Sequence, residues 1–170
     1  MNIRGIERSD AAELAHLVNE VEATSEYMLW ETGERQVTVE KQLKMIEEMS
    51  KSSNSTIIVA EVEGSLVGYL FAIGGNAKRN RHSVYIVTGI LEKYRGKGIG
   101  TKLFTALDEW AKFNGIHRME LTVVTTNEAG TRLYKKSGFE IEGTKRSSLL
   151  IDGTYMDEYY MSKLIWGNKK

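Results

Sequence analysis

The chain has 170 residues, a length suited to one domain with a sizeable core, and its 41% hydrophobic and 27% charged residues are ordinary for a globular protein. Lys+Arg and Asp+Glu both total 23, so no basic excess points to nucleic acid or an anionic membrane. Without cysteine there is no disulfide, thiolate metal ligand or cysteine nucleophile for a covalent acyl-enzyme. No apolar run approaches the roughly 20 residues of a membrane span, and Met1–Arg8 lacks a signal-peptide apolar core. The expectation is a cytoplasmic protein with one domain over residues 1–170. Proline is absent, so glycine must mark the element boundaries.

Met1–Ile6 reads as a short first strand. Asp10 then stands as N-cap, with Glu13 three residues on, before an apolar helix face at Ala11, Leu14, Ala15, Val18 and Val21. Thr24–Gln36 reads as a loop, and Thr38 caps a second helix whose Val39, Leu43, Ile46 and Met49 share a face. Thr56–Val62 and Leu66–Ile73 are β-branched and aromatic, joined at Glu63-Gly64-Ser65 as a hairpin. Ser83–Leu91 is a third strand, and its near-continuous apolar run predicts burial on both faces.

Ile99, Leu103, Ala106, Leu107 and Trp110 define the clearest helix, closed by Asn114-Gly115. Met119, Leu121 and Val123 alternate in a strand, and Asn127 opens a short helix ending at Ser137-Gly138. Phe139–Leu150 and Tyr155–Leu164 flank Asp152-Gly153, which suits a type I′ hairpin. The order βαα, βββ, α, β, α, ββ predicts a mixed α/β fold with a largely antiparallel sheet and one or two crossover helices.

The segment richest in chemistry is Arg95-Gly96-Lys97-Gly98-Ile99-Gly100, between a strand and a helix. Glycines at alternate positions let the backbone bend and present N–H groups at a helix N-terminus, where the dipole favours an anion. Arg95 and Lys97 add positive charge, so the inferred ligand is a pyrophosphate. A turn that merely connects the two elements is the plainer alternative. A Walker loop needs Gly-Lys-Ser/Thr, whereas Gly100-Thr101-Lys102 has another order. The dinucleotide fingerprint spaces its glycines two and three apart; here they stand two and two.

Arg95, Gly98 and Gly100 instead match an Arg/Gln-x-x-Gly-x-Gly/Ala pattern. Asn127-Glu128-Ala129-Gly130-Thr131-Arg132-Leu133-Tyr134-Lys135-Lys136-Ser137-Gly138-Phe139 follows an Asn-x-x-Ala-x-x-Leu-Tyr-x-x-x-Gly-Phe signature, with Ala129 and Gly130 one place off the commonest spacing. On these motifs, and on an element order that covers nearly the whole chain, the protein resembles the GCN5-related N-acetyltransferase (GNAT) superfamily. The tail, with Glu142-Gly143, Arg146 and Asp152-Gly153-x-Tyr155-x-Asp157, is similar to branches that acetylate ribosomal-protein N-termini, polyamines and small molecules.

The resemblance implies a mostly antiparallel sheet, flanked by helices, whose central parallel pair of strands splays apart, here Ser83–Leu91 and Arg118–Thr125. It implies acetyl-CoA as acyl donor and no metal. The pyrophosphate would lie on the backbone of Arg95, Gly96, Lys97, Gly98, Ile99 and Gly100, with Thr101 beside it. Main-chain groups at Ile90 and Leu91 would hold the pantetheine arm, and Asn127 the arm or the helix start. Tyr134 is the candidate general acid for the departing thiolate, since a phenol with reference pKa of about 10 is protonated at neutral pH; a core aromatic is the alternative. Some relatives carry a glutamate base before the glycine loop; the matching place here is Tyr85, which cannot serve. Glu31 and Glu34 are the substitutes, a water relay is equally open, and Glu92, Asp157 and Glu158 are weaker candidates.

His16, His82 and His117 lack metal-ligand spacing and read as structural. Tyr27, Met28 and Trp30 line an acceptor pocket or plug the core, and Gly167–Lys170 read as a solvated tail. The acceptor is a small amine or a peptide or protein amine, neither nucleic acid nor membrane is a partner, and a homodimer is allowed for. Clustering of Glu20, Glu22, Glu26, Glu31 and Glu34 predicts a cationic acceptor, against the plainer alternative of a solvated helix end and loop. A non-catalytic acyl-CoA-binding or sensing module would show the same loop and fold without turnover.

Overall fold

The structure, a computed structural model, describes residues 1–166; the expected tail at Gly167–Lys170 lies outside them. Strand β1 (Asn2–Gly5) leads through a 3₁₀ turn (Arg8–Asp10) into helices α1 (Ala11–Thr24) and α2 (Val39–Lys51). Strands β2 (Thr56–Val62), β3 (Ser65–Gly74) and β4 (Ser83–Ile90) follow, then a second 3₁₀ turn (Glu92–Tyr94). After them come α3 (Ile99–Phe113), β5 (Arg118–Val124), α4 (Glu128–Lys136), β6 (Glu140–Ile151) and β7 (Thr154–Leu164). This is the order that patterning predicts.

The strands form one sheet in the order β1-β2-β3-β4-β5-β7-β6. Neighbours pair antiparallel except β4 and β5, which run parallel and are joined by the α3 crossover. The two-residue turns at Glu63-Gly64 and Asp152-Gly153 have positive φ throughout (52° and 80°, 47° and 76°), as tight hairpins of the right-handed twist require. Helices α1 and α2 cover one face and α3 the other. Successive residues of β3 show this: a side chain at Gly68 would touch Ile99 of α3, while Tyr69 shares the opposite face with Val21 of α1. Leu14, Leu17 and Val21 on one side and Leu103, Phe104 and Leu107 on the other are fully buried, the apolar stripes their spacing implies.

Two local expectations are corrected. Asp10 holds the N-cap position of α1, but its side chain makes no cap hydrogen bond there. Chain entry is one turn earlier, as a 3₁₀ turn, so Asp10 accepts the Glu7 N–H at 2.7 Å and pairs with Arg4 at 2.7 Å. Its carboxyl is held below the usual range chiefly by the Arg4 hydrogen bond. Glu13 instead accepts the Leu66 N–H at 2.7 Å, tying α1 to β3. Nor is β4 buried on both faces: Tyr85 is 39% exposed and Val87 only half-buried, because their face borders an opening.

Candidate active site

The parallel ladder between β4 and β5 lasts three residue pairs, Ser83 with Arg118, Val84 with Met119 and Tyr85 with Glu120. Beyond it β4 stays paired with β3 as far as Ile90, and β5 stays paired with β7 as far as Val124. The two strands therefore part company, leaving facing backbone edges unladdered in the middle of the sheet. At the apex the Tyr85 hydroxyl meets Thr122 Oγ1 at 3.0 Å. Unpaired strand backbone in a protein interior is costly unless something pairs with it. An extended chain of amide groups is the kind of ligand that can.

The glycine loop stands at the open end. Leu91 is buried and its N–H donates to Val67 O, so it anchors the loop's start to β3. Arg95 Nε donates to Ile90 O at 3.0 Å and closes the β4 terminus. Gly96 and Gly98 have φ of 71° and 79°, the left-handed region where a Cβ is penalised. Gly98 is the N-cap of α3, with no side-chain cap, and Lys102 N–H is the first to return to its carbonyl. The N–H groups of Ile99, Gly100 and Thr101 thus lie in the unsatisfied first turn. Lys97 Nζ lies 5.1 Å from the Tyr94 ring centroid and Lys93 Nζ 5.2 Å, which adds charge beside these donors. Gly100 has a different reason to be glycine: a Cβ there would stand 2.7 Å from Leu133 Cδ2, so it lets α4 pack on α3. Ile99 is buried in the core and Thr101 is half-buried.

Tyr134 comes from α4, whose N-cap Asn127 accepts the Gly130 N–H at 3.0 Å; Asn127 is therefore engaged in starting the helix. The Tyr134 ring packs edge-on against Phe104 (5.6 Å) and Phe139 (6.3 Å). Burial first, and then the Tyr85 phenol, push its hydroxyl up to about 12. A half-buried phenol that stays protonated beside the opening is placed to donate a hydrogen bond, and then its proton, as charge develops on a departing thiolate.

On the α1–α2 side the acidic segment does not converge. Glu34 Oε2 accepts the Glu31 N–H at 2.9 Å, and both residues are exposed. Glu20 pairs with His16 at 3.4 Å. Glu22 is the exception. It is 4% exposed, and its carboxylate is bound by Arg35 through Nε at 3.1 Å and through Nη2. Arg35 in turn lies over the Trp30 ring, 5.0 Å from its centroid. Met28 packs on the core, while Trp30 is 37% exposed. Of the weaker carboxylates, Asp157 accepts the Ser147 N–H at 2.7 Å and Glu158 accepts the Ser148 hydroxyl.

Sequence reasoning missed Tyr69. It is 1% exposed, and its hydroxyl lies where a side chain on Gly89 would be, 2.7 Å from that Cβ position. Gly89 belongs to the stretch of β4 that has left β5. Burial pushes the phenol upward, the Glu22 charge adds to this, and Arg35 opposes it. Its carbonyl accepts from Thr88 Oγ1 at 2.9 Å. The one available signal was Gly89 within an otherwise bulky strand.

His82 and His117 approach to 6.3 Å between ring centroids, and His117 Nδ1 lies 2.8 Å from Ile165 O. Among the described residues no group of three or more His, Asp or Glu is arranged to hold a metal ion. No helix among them is long and apolar enough to cross a membrane.

Comparison with known proteins accounts for this geometry. An acetyltransferase of the GNAT family from Streptococcus pneumoniae superposes with a TM-score of 0.93 at 31% identity, over 97% of this chain and 99% of that one. The yncA protein of Salmonella typhimurium, solved with its cofactor acetyl-CoA, has the same fold (TM-score 0.88, 22% identity, 99% and 96% of the chains). The L-amino acid N-acetyltransferase AaaT of Escherichia coli K12 is 32% identical over 111 residues, 63% of this chain and 67% of that protein. The family description "Acetyltransferase (GNAT) family" matches residues 18–139, which contain the glycine loop, both splayed strands and Tyr134. The chain belongs to the GNAT acetyltransferase family, a family of acetyl-CoA-dependent acyl transfer.

Proposed function

We propose that the chain, as one domain in the cytoplasm, transfers the acetyl group of acetyl-CoA to a primary amine by direct attack in a ternary complex. The observation that carries this is the gap between β4 and β5, with free helix-start N–H groups at its mouth and the Tyr134 phenol beside it. Acetyl-CoA is a long amide-bearing arm joined through a pyrophosphate to an adenine nucleotide, and the two features accommodate the arm and the pyrophosphate. Gly96, Lys97, Gly98, Ile99, Gly100 and Thr101 take the pyrophosphate. The unladdered edge of β4 up to Ile90 takes the pantetheine.

In the reaction the amine nitrogen attacks the thioester carbonyl, the C–S bond breaks, and the Tyr134 O–H gives its proton to the departing thiolate. Main-chain N–H groups of β4 aimed at the carbonyl oxygen would stabilise the oxyanion, about 3–4 kcal/mol per donor. The nitrogen's own proton leaves to water or to a loop carboxylate, for which Glu31 and Glu34 are the candidates, both open to solvent. AaaT acts on L-amino acids, so small amines are the acceptors to try first. The test is release of CoA thiol across an amine panel, with the acetylated product identified by mass. Acetyl-CoA binding without release for any amine would leave an acyl-CoA-binding module instead.

A further inference from the structure

We infer that Arg35, locked in place by Glu22, is the acceptor subsite for an amine that also carries a carboxylate, in the simplest case an α-amino acid. The inference rests on the acetyl-transfer function proposed above. Glu22 and Arg35 border a cavity of about 380 Å³ between the end of α1 and the loop that follows, lined also by Asn19, Thr32 and Val37. That volume falls at the lower end of small-molecule sites. A carboxylate as buried as Glu22 is strongly unfavourable without a partner, so the ion pair fixes where Arg35 points.

The pairing leaves Arg35 half unused. A guanidinium has five N–H donors in a planar fork. Glu22 occupies the edge formed by Nε and Nη2. Nη1 has no hydrogen-bond partner among the described residues, so it and the outer hydrogen of Nη2 form a second edge. That edge matches a second carboxylate in bidentate fashion. Trp30 stacks on the plane and the Arg35 side chain is 42% exposed, so the edge stays accessible.

Tyr69 places this subsite beside the chemistry. Its phenol lies across Gly89 in the splayed part of β4, and so does Val21, the residue before Glu22 on α1. The Glu22–Arg35 pair thus starts one residue along α1 from the splayed strand. A polycation fits less well. Glu20 and Glu34 have local partners and Glu22 is neutralised, which leaves Glu26 and Glu31, both exposed, as the segment's remaining carboxylates.

The experiment is a cycle between substrate and residue. CoA release is measured for an α-amino acid, its amide, the corresponding decarboxylated amine and spermidine. The parent should favour the acid over the amide by about 10- to 100-fold in kcat/KM, as a charge-assisted bidentate pair implies. Arg35→Gln should bring the acid down to the level of the amide, leaving the amide and the KM for acetyl-CoA unchanged. Because that variant strands the Glu22 charge, Glu22→Gln/Arg35→Gln is made beside it and should fold with the same loss of discrimination. Arg35→Lys should restore only part of it. Equal use of acid and amide by the parent, preference for spermidine, or parallel loss for all acceptors in the double variant would overturn the subsite while leaving acetyl transfer standing. CoA release with no amine at all would overturn both.

Discussion

Tyr134 illustrates how one side chain's surroundings set its chemistry. Its ring is enclosed by Phe104 and Phe139, so the neutral phenol is favoured and its titration moves up to about 12. The group is thus an acid throughout the working range, and its ionisation should not produce an alkaline limb in kcat below about pH 11. Tyr134→Phe should lower kcat by about 10²–10⁴-fold with the KM for acetyl-CoA little changed; full activity in steady-state assays would remove the general-acid role. The raised titration also has a stability consequence. The preference for the folded state is complete below the ordinary phenol value near 10 and is lost as pH rises through about 12. Tyr134 and the loop glycines were legible in the sequence because each stands in a contiguous motif. Glu22, Arg35 and Tyr69 were not. Their partnership joins α1, the following loop and β3, and nothing in the local pattern distinguishes the buried Glu22 from the exposed Glu20 and Glu26.

At the scale of elements, the glycine loop and the far side of the gap make separate predictions. Gly98 and Gly100 both lie in the loop motif but for different reasons, one conformational and one steric. Gly98→Val meets a left-handed backbone that costs about 1–2 kcal/mol and rearranges the anion-binding turn. By calorimetric titration it should lose acetyl-CoA affinity at least tenfold while the protein still folds. Gly100→Val drives a side chain into Leu133 and should lower the melting temperature more than Gly98→Val does. Across the gap, Arg118 braces β5 to β6. It donates to Glu142 at 2.6 and 2.9 Å and to Glu120 at 2.8 Å. The Arg118 hydrogen bond, with a second from Ser162, lowers Glu142 to about 2. The brace is therefore intact above the ordinary carboxyl value near 4.5 and is lost as pH falls toward about 2. Glu142→Gln should flatten the acid side of the melting-temperature profile in that window, and added salt should weaken the effect because the pair is partly exposed. Patterning found β5, β6 and β7 in place. It did not find this brace, and the parting of β4 from β5 came from the family resemblance alone, since periodicity reports which face is apolar and not which neighbour a strand abandons.

For the whole molecule, element order and strand number were legible because each element announces itself locally, through caps, glycines and apolar period. The sheet order was not, since β7 inserts between β5 and β6 and no local pattern encodes that. What the order accomplishes is a sheet that is continuous at both ends and open in the middle, with α1 packed against β3 and β4 beside the open part. A ligand that fills such a gap joins two strands whose shared ladder is only three residue pairs long. Binding to the folded state alone stabilises by about 2.7 kcal/mol when ligand is present at a hundred times its Kd. For a chain of this length that corresponds to a rise of about 5–11 °C in melting temperature. Acetyl-CoA should produce this rise and Gly98→Val should largely abolish it. ATP and NAD should produce little, because neither supplies a pantetheine arm for the β4 edge and the glycine spacing suits neither nucleotide motif. A thermal scan with each ligand at matched concentration makes the comparison. An equal shift with ATP would mean that the loop binds phosphates without the gap taking part, and would return the chain to the nucleotide-binding alternative.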